Sequence, residues 1–489
     1  MKQWWPLILF LFALLLRFTF RVLTHFDGLY GQDPFAYYNY ALTLREALLQ
    51  GQLPPPFFWP IGYPLLIVMG TFFSGSQPLA GQLASMIMGA AIAPLTYWLV
   101  LAYQPQAKIG AIIAALLAGT ASQLMLSSIS IMSDAAGLAW AALSALGMVY
   151  YVRRLTWPWL VWAGLALGMA ILTRWVYALL VFGWGLSALL AWWQHKVSWR
   201  HVVTAVILAV LSSGLIVSSQ FLGSLNQPQL AHVGDLQVVG WNPANAFQSI
   251  ITNSDGTFTY ERPIGLYYAT PLFHPGYIFP LFTPFLLIGL WQLWQQSSRA
   301  SRALLLGWAG LVYLFLAGIA WQNWRFPLAM FVPLLILVGI GADWVWQRVS
   351  TRWWRWGVTA VCAVGLMGSL SWAVRDITRF TAWKEETVAT AVWVENQLPP
   401  DATLIAFGLT NTLQHYTQLE TYELYGLDEA ALEELFAEYE SCYLLINDQN
   451  VQSQWHGKRP ETNVNWIRER ANMVAIGRSG YYTLYQITP

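Results

Sequence analysis

Long apolar segments separated by short polar ones fill the first three quarters of the sequence. An α-helix needs about 20 mostly apolar residues to cross a bilayer, and on this criterion the pattern predicts about eleven membrane helices. They are expected at residues 4–23, 82–103, 107–127, 134–152, 158–173, 175–193, 202–221, 276–295, 303–321, 327–346 and 357–374. The chain is therefore predicted to be a mostly α polytopic membrane protein.

Two apolar segments need a separate interpretation. Residues 61–73 form an apolar run that is short for a membrane helix and follows several prolines, so we expect it to be interfacial or re-entrant. The N-terminal apolar segment is long and bulky and has no small-residue cleavage site. We therefore expect a retained membrane helix there and not a signal peptide.

The pattern changes after residue 375 to short apolar runs with polar boundaries. Strands are expected at residues 401–408, 418–426, 441–448 and 479–487, with an amphipathic helix at 427–440. The sequence thus predicts a transmembrane domain at 1–375, with external loops at 24–81 and 222–275, and a small soluble α/β domain at 376–489.

Composition agrees with a membrane protein. The chain is 57% hydrophobic and 10% charged, whereas roughly a quarter of the residues in soluble domains are charged. The net charge of +1 gives no field that would attract nucleic acid. The two cysteines predict neither a disulfide framework nor a metal site.

The distribution of Lys and Arg predicts the orientation of the helices, since these residues collect in short cytoplasmic loops. With a cytoplasmic N-terminus, such loops hold Lys108, Arg153, Arg154, Lys196, Arg200, Arg299, Arg302, Arg348, Arg352 and Arg355. We therefore predict an integral protein of the cell inner or plasma membrane. Its C-terminal domain is expected on the extracytoplasmic side.

Two acidic residues are predicted on that extracytoplasmic side, Asp33 in GQDPFAYY and Asp134 in IMSDAAGLAW. Asp33 precedes Pro34 at the start of a helix predicted over residues 31–51. An acid close to a membrane is costly, so one carboxylate is a candidate to accept a proton and the other to hold a metal ion or a partner. The alternative is that each is a helix N-cap. The two interpretations are compatible, because a helix N-terminus keeps a carboxylate ionised.

Basic residues are expected on the same side. Arg174 and Arg325 lie at predicted outer turns, where guanidinium groups suit phosphate. Each alternatively pairs with an Asp or extends to the interface. Arg17 and Arg21 near the outer end of the first helix are further candidates to bind an anion, or alternatively they anchor that helix. His274 is a further candidate ligand, although a lone histidine is more often a packing residue.

The order of these motifs resembles the GT-C fold glycosyltransferases, specifically the protein O-mannosyltransferase and lipid A aminoarabinose transferase superfamily. The resemblance covers roughly residues 1–375. It rests on the segments GQDPFAYY, FFWPIGYPLL, IMSDAAGLAW, AGLALGMAILTRW and NWRFPLAMFVPLLILVGIGA.

This resemblance implies transfer of a sugar, with inversion, from a polyprenyl-phosphate-linked donor to a protein, lipid or glycan acceptor on the extracytoplasmic side. Asp33 takes the position of the base or acceptor-orienting acid, and Asp134 that of the second acid. The resemblance implies that Arg174 and Arg325 bind the lipid phosphate, and His274 is a further candidate for that site from the residues alone. The resemblance allows one cofactor, a divalent Mg²⁺ or Mn²⁺ held by Asp33 and Asp134.

The sequence also allows two other functions. A transporter or flippase for a lipid-linked intermediate would line its path with the same acids and arginines, although the chain shows no repeated halves. A catalytically inactive member would use the C-terminal domain to bind a partner. No nucleotide-phosphate loop, His-rich metal cluster or Ser/His/Asp motif is present in the sequence.

Overall fold

A computed structural model describes residues 4–222, 240–439 and 442–488. Of these, one compact unit takes the residues up to Leu29, Asp33–Phe247 and Ile264–Thr378. The second unit takes Tyr30–Gln32, Gln248–Pro263 and Arg379–Pro489. Residues 223–239 of the loop predicted at residues 222–275 lie outside the described residues, and its described part is divided between the two units.

The first unit is helical. Its α-helices are Trp5–Leu23, Gln32–Leu49, Gly62–Ser74, Leu79–Tyr103, Lys108–Thr120, Ser122–Ile129, Ser133–Arg154, Trp157–Thr173, Leu180–His195, Trp199–Ser218, Ile264–Ala269, Thr283–Gln296, Arg299–Gly318 and Phe331–Arg348, followed by Arg352–Gln397, which runs on into the second unit.

Eight helices in the described part of the chain are long and apolar enough to cross a membrane, or nine if one bent pair counts as a single span. Two further apolar helices, Gly62–Ser74 and Trp157–Thr173, are shorter. The predicted number of eleven membrane helices therefore stays a prediction. The first of the short helices coincides with the segment expected to be interfacial or re-entrant.

The bent pair replaces the single helix predicted at residues 107–127. Lys108–Thr120 and Ser122–Ile129 meet at an angle of 53°, because Ala121 between them has an extended backbone. The break frees backbone groups, and the N–H of Gln123 donates to the carbonyl of Gly276 at 2.9 Å. Neighbouring segments can compensate such a break at membrane depth in this way.

The last helix of the first unit extends far beyond its predicted end at residue 374. Arg352–Gln397 is continuous over 46 residues. The chain turns polar after Val374, but it contains neither Gly nor Pro from there until Pro399. The loss of hydrophobicity therefore marks the limit of the apolar segment and not the end of the helix.

The second unit contains the strands β3 (Thr403–Ala406), β4 (Glu420–Glu423), β5 (Cys442–Ile446), β6 (Asn472–Ser479) and β7 (Tyr482–Thr488). They form a five-stranded sheet in the order β4-β3-β5-β7-β6. The strands β4, β3 and β5 are parallel, and β7 and β6 continue the sheet antiparallel.

Helices connect these strands, namely Thr410–Tyr416, Glu429–Glu438, Asp448–Ser453 and Arg459–Arg470. A separate hairpin is formed by β1 (Ile250–Asn253) and β2 (Gly256–Thr259). The sequence predicted four of the five sheet strands and the helix at 427–440. It did not predict β6 or the hairpin.

Candidate active site

Four of the predicted site residues come together in the first unit. Asp33 lies in the first turn of Gln32–Leu49, and Asp134 lies in the first turn of Ser133–Arg154. Arg174 directly follows the helix Trp157–Thr173. Arg325 directly precedes a short 3₁₀ turn, Phe326–Met330.

These four side chains form a chain of ion pairs, which we call the charge quartet. Arg325 pairs with Asp33 through Nη2, and Arg174 pairs with Asp134 through Nη1. Nη1 of Arg325 also lies 3.6 Å from Oδ2 of Asp134. The charges therefore alternate in the order Asp33, Arg325, Asp134, Arg174, and their formal sum is zero.

The two acids differ in exposure. The side chain of Asp134 is 3% exposed, whereas that of Asp33 is 25% exposed. The N-cap interpretation of Asp134 is wrong, because the N-cap residue of its helix is Met132 and no side chain caps that end. Asp134 is a buried partner of arginine. Asp33 is the more exposed of the two acids.

The guanidinium groups share an aromatic neighbour. The ring of Phe326 lies 5.2 Å from the guanidinium carbon of Arg174 and 5.5 Å from that of Arg325. Both distances are within the range of cation–π attraction. Phe326 therefore helps to hold two positive charges close together.

Gly137 permits the approach of Arg174 to Asp134. A Cβ atom at this position would lie 2.7 Å from the ring of Tyr177 and 3.3 Å from Cβ of Arg174. Gly137 is one turn beyond Asp134 on the same helix. A larger residue there would push the Arg174 turn away from the acid.

The charge quartet borders a cavity of about 250 Å³. Asp33, Arg174 and Arg325 line it, and so do aromatic and aliphatic side chains. The remaining lining residues are Tyr37, Trp59, Pro60, Trp175, Val176, Phe315, Leu316, Ile319, Trp321 and Phe326. The cavity thus combines two cations and one accessible acid with an apolar wall.

Tyr37 is a cavity residue that the sequence analysis missed. It lies four positions after Asp33, on the same face of the helix. Its hydroxyl is 3.0 Å from the hydroxyl of Ser133, and its ring is 5.0 Å from that of Trp59. Burial, with a smaller contribution from the charge of Asp33, raises the pKa of Tyr37 to about 12. Tyr37 therefore stays a neutral hydrogen-bonding group at physiological pH.

The charge of Arg325 is secured by its neighbours. Burial opposes the charged guanidinium, but the carboxylates of Asp33 and Asp134 outweigh it and raise the pKa of Arg325 above its ordinary value. Arg325 is therefore a permanent cation in this arrangement.

The other predicted basic residues lie elsewhere. The ring of His274 lies 4.8 Å from that of Trp324, tilted by 37°, and His274 is not among the described residues that line the cavity. Arg17 is fully buried and donates to the carbonyl of Ala13, while Arg21 donates to Gln82. Neither Arg17 nor Arg21 borders the cavity.

The donor set of the charge quartet does not fit a divalent metal ion. Mg²⁺ and Mn²⁺ prefer about six oxygen ligands. Here each carboxylate is already paired with a guanidinium group, whose positive charge repels a cation. Among the described residues, no three His, Cys, Asp or Glu side chains converge on such a position.

Comparison with known proteins agrees with this fold. The family model of dolichyl-phosphate-mannose-protein mannosyltransferases matches residues 7–222. No curated protein sequence matches the chain.

Solved structures match over nearly the whole chain. ArnT from Cupriavidus metallidurans, bound to undecaprenyl phosphate, is similar with a TM-score of 0.66 and 15% identity, over 99% of this chain and 98% of that one. Its apo state gives a TM-score of 0.65 at 14% identity, covering 96% and 97%. The Archaeoglobus fulgidus oligosaccharyltransferase in the apo form gives 0.57 at 13% identity, covering 98% and 74%.

These findings confirm the predicted fold class, a mostly α membrane protein with a small C-terminal α/β part. The chain has the GT-C fold of integral membrane glycosyltransferases and resembles the protein O-mannosyltransferase and aminoarabinose transferase superfamily.

Proposed function

We propose that the protein transfers a sugar from a polyprenyl-phosphate-linked donor to an acceptor on the extracytoplasmic side of the membrane. The observation that carries this proposal is the charge quartet, which opens through Asp33, Arg174 and Arg325 onto a cavity with an apolar wall. Such a cavity suits a ligand that is anionic at one point and apolar beyond it. A relative with this fold binds undecaprenyl phosphate.

The donor phosphate is assigned to Arg174 and Arg325. A phosphate oxygen can replace a carboxylate oxygen as the partner of a guanidinium group. Because Arg325 is paired with Asp33, an incoming phosphate competes with Asp33. Binding of the donor therefore loosens the Asp33 pair and frees that carboxylate for the acceptor.

Asp33 is assigned to the acceptor hydroxyl. In the proposed step, the acceptor oxygen bonds to the anomeric carbon while the bond from that carbon to the phosphate oxygen breaks. The hydroxyl proton goes to Asp33, and the electron pair of the broken bond goes to the departing phosphate. Arg174 and Arg325 stabilise the negative charge that develops there. Asp134 holds both arginines in place.

The lipid chain is assigned to the apolar wall of the cavity. Phe315, Leu316 and Ile319 come from the end of the helix Arg299–Gly318 and the residue after it. They lie on the same cavity as the two arginines. A polyprenyl chain in contact with them would place its phosphate near the charge quartet.

The two ends of the helix Ser133–Arg154 support the extracytoplasmic location of the charge quartet. Asp134 is at the start of Ser133–Arg154, and Arg153 and Arg154 are at its other end. At 1.5 Å per residue the two ends lie about 30 Å apart, which is the thickness of the hydrocarbon core. Since basic loops are cytoplasmic, the charge quartet is assigned to the opposite side.

The Asp33→Asn variant tests the proposal. We expect transfer of sugar to fall at least roughly a hundredfold, the usual contribution of a general base. Binding of undecaprenyl phosphate should persist, or become tighter, because the competing carboxylate is removed. Transfer is measured with purified enzyme and radiolabelled polyprenyl-phosphate sugar, and binding is measured in the same preparation.

Asp27→Asn is the matched control. Asp27 precedes the same helix and accepts a hydrogen bond from the N–H of Leu29, which an asparagine oxygen can also do. The Asp27→Asn variant should transfer sugar at the wild-type rate. Full transfer by Asp33→Asn would refute the assignment of the base. Movement of labelled lipid-linked sugar across sealed vesicles, without any transfer, would favour a transporter.

A further inference from the structure

The turn that carries Arg325 is held from outside. It joins the helix Arg299–Gly318 to the 3₁₀ turn Phe326–Met330. Arg325 is the N-cap residue of this 3₁₀ turn, but its side chain makes no capping hydrogen bond there. Within the turn, the N–H of Arg325 donates to Oδ1 of Asn323 at 3.1 Å.

Two buried tyrosines contact the backbone of this turn. The hydroxyl of Tyr268 donates to the carbonyl of Trp321 at 2.8 Å and lies 3.3 Å from the N–H of Asn323. The hydroxyl of Tyr277 donates to the carbonyl of Trp324. Both side chains are fully buried.

The second of these contacts acts directly on Arg325. The carbonyl of Trp324 belongs to the peptide group that joins Trp324 to Arg325, so fixing this oxygen fixes the plane from which the arginine side chain starts. His274 reinforces the arrangement, since its ring lies 4.8 Å from that of Trp324 and 6.1 Å from that of Tyr277. His274, which was predicted to bind the lipid phosphate, thus packs against the turn that carries Arg325.

We propose that Tyr277, assisted by Tyr268, is a positioning residue that holds Arg325 in the orientation needed to bind the donor phosphate. The inference rests on the proposed function and extends it to the segment between Ile264 and Pro280. A guanidinium group stabilises a phosphate only when its direction is set before the ligand arrives. The hydroxyl of Tyr277 supplies that direction through the backbone.

The test is a double-mutant cycle on binding of undecaprenyl phosphate by the full-length protein. The proteins are the wild type, Tyr277→Phe, Arg325→Gln and the double variant. Loss of one hydrogen bond corresponds to about a three- to tenfold weaker binding for Tyr277→Phe. In the Arg325→Gln background the same substitution should have no further effect, because the group it positions is gone.

Tyr151→Phe is the matched control. Tyr151 is also fully buried and its hydroxyl accepts from Trp192, but it lies 17 positions beyond Asp134 on the same helix, roughly 25 Å away. It should bind undecaprenyl phosphate as the wild type does. Tyr268→Phe should repeat the pattern of Tyr277→Phe, and it serves if Tyr277→Phe does not fold.

Three outcomes separate the proposals. Wild-type binding by both Tyr277→Phe and Tyr268→Phe overturns the positioning role. An equal loss in the wild-type and Arg325→Gln backgrounds also overturns it, since the tyrosine then acts on the fold in general. Wild-type binding by Arg325→Gln refutes instead the assignment of the phosphate to Arg325, on which the inference rests.

Discussion

Arg325 contacts a carboxylate through each of its terminal nitrogens, Asp33 through Nη2 and Asp134 through Nη1. Together with Arg174 this makes a neutral group of four charges beside a partly apolar cavity. Neutrality explains how four ionised side chains can lie at the edge of a membrane domain. It also means that an anionic ligand enters by exchange of partners and not by attraction to a net charge.

Removal of Arg174 should destabilise the protein, because the buried charge of Asp134 then lacks its closest partner. Arg174→Gln leaves Asp134, 3% exposed, without its closest partner. Breaking a buried ion pair costs roughly 3 kcal/mol, so we expect a lower free energy of unfolding in detergent. The double variant Arg174→Gln/Asp134→Asn should recover much of this loss, because no unpaired charge remains.

Arg45→Gln is the control for that measurement, since Arg45 pairs with Glu46 at an exposed position and exposed pairs contribute little. Equal stability of Arg174→Gln and the wild type would contradict the structural role of the pair. So would a double variant less stable than the single one.

The sequence predicted the four charges and offered pairing with an Asp as one alternative for each arginine, but it did not predict which acid pairs with which arginine. Charged residues stand out because only 10% of this chain is charged. Asp33 and Arg325, in contrast, lie 292 positions apart, and no local pattern links them. Phe326, Tyr37 and Gly137 escaped prediction because the chain holds 24 Phe, 23 Tyr and 37 Gly, most of which serve packing.

At the scale of elements, hydrophobic length predicted where helices lie better than where they end. The Arg352–Gln397 helix continues after its apolar part, because helix formation depends on the backbone and not on hydrophobicity. The helix expected from residue 276 begins at Thr283, since Pro280 and Pro284 confine its start. Backbone preferences, and not the limits of the apolar run, therefore decide these two boundaries.

The sequence pattern also did not predict which two helices pack closely together. A Cβ atom at Gly341, in Phe331–Arg348, would overlap the carbonyl of Phe285, in Thr283–Gln296. The two backbones therefore approach as closely as small residues allow, which is how helices associate in membranes. A Gly in an apolar run does not by itself reveal which helix it faces.

At the scale of the whole molecule, the proposed function requires the charge quartet and the basic loops to lie on opposite sides of the membrane. Both native cysteines are buried, so introduced cysteines can report sidedness. Ser254→Cys, in the hairpin turn, should react with a membrane-impermeant maleimide in intact cells. Lys196→Cys should react only after permeabilisation. Both side chains are exposed, and the reverse labelling pattern would contradict the proposed orientation.

The proposed function depends on binding of a polyprenyl-lipid phosphate by the charge quartet. The most direct test is mass spectrometry of the lipids retained by the purified protein, before and after addition of undecaprenyl phosphate. We expect the wild type to retain a polyprenyl phosphate or its sugar derivative, and the Arg174→Gln/Arg325→Gln variant to lose it while keeping bulk phospholipids. Equal retention by both proteins, or retention of bulk phospholipids alone by the wild type, would contradict the claim.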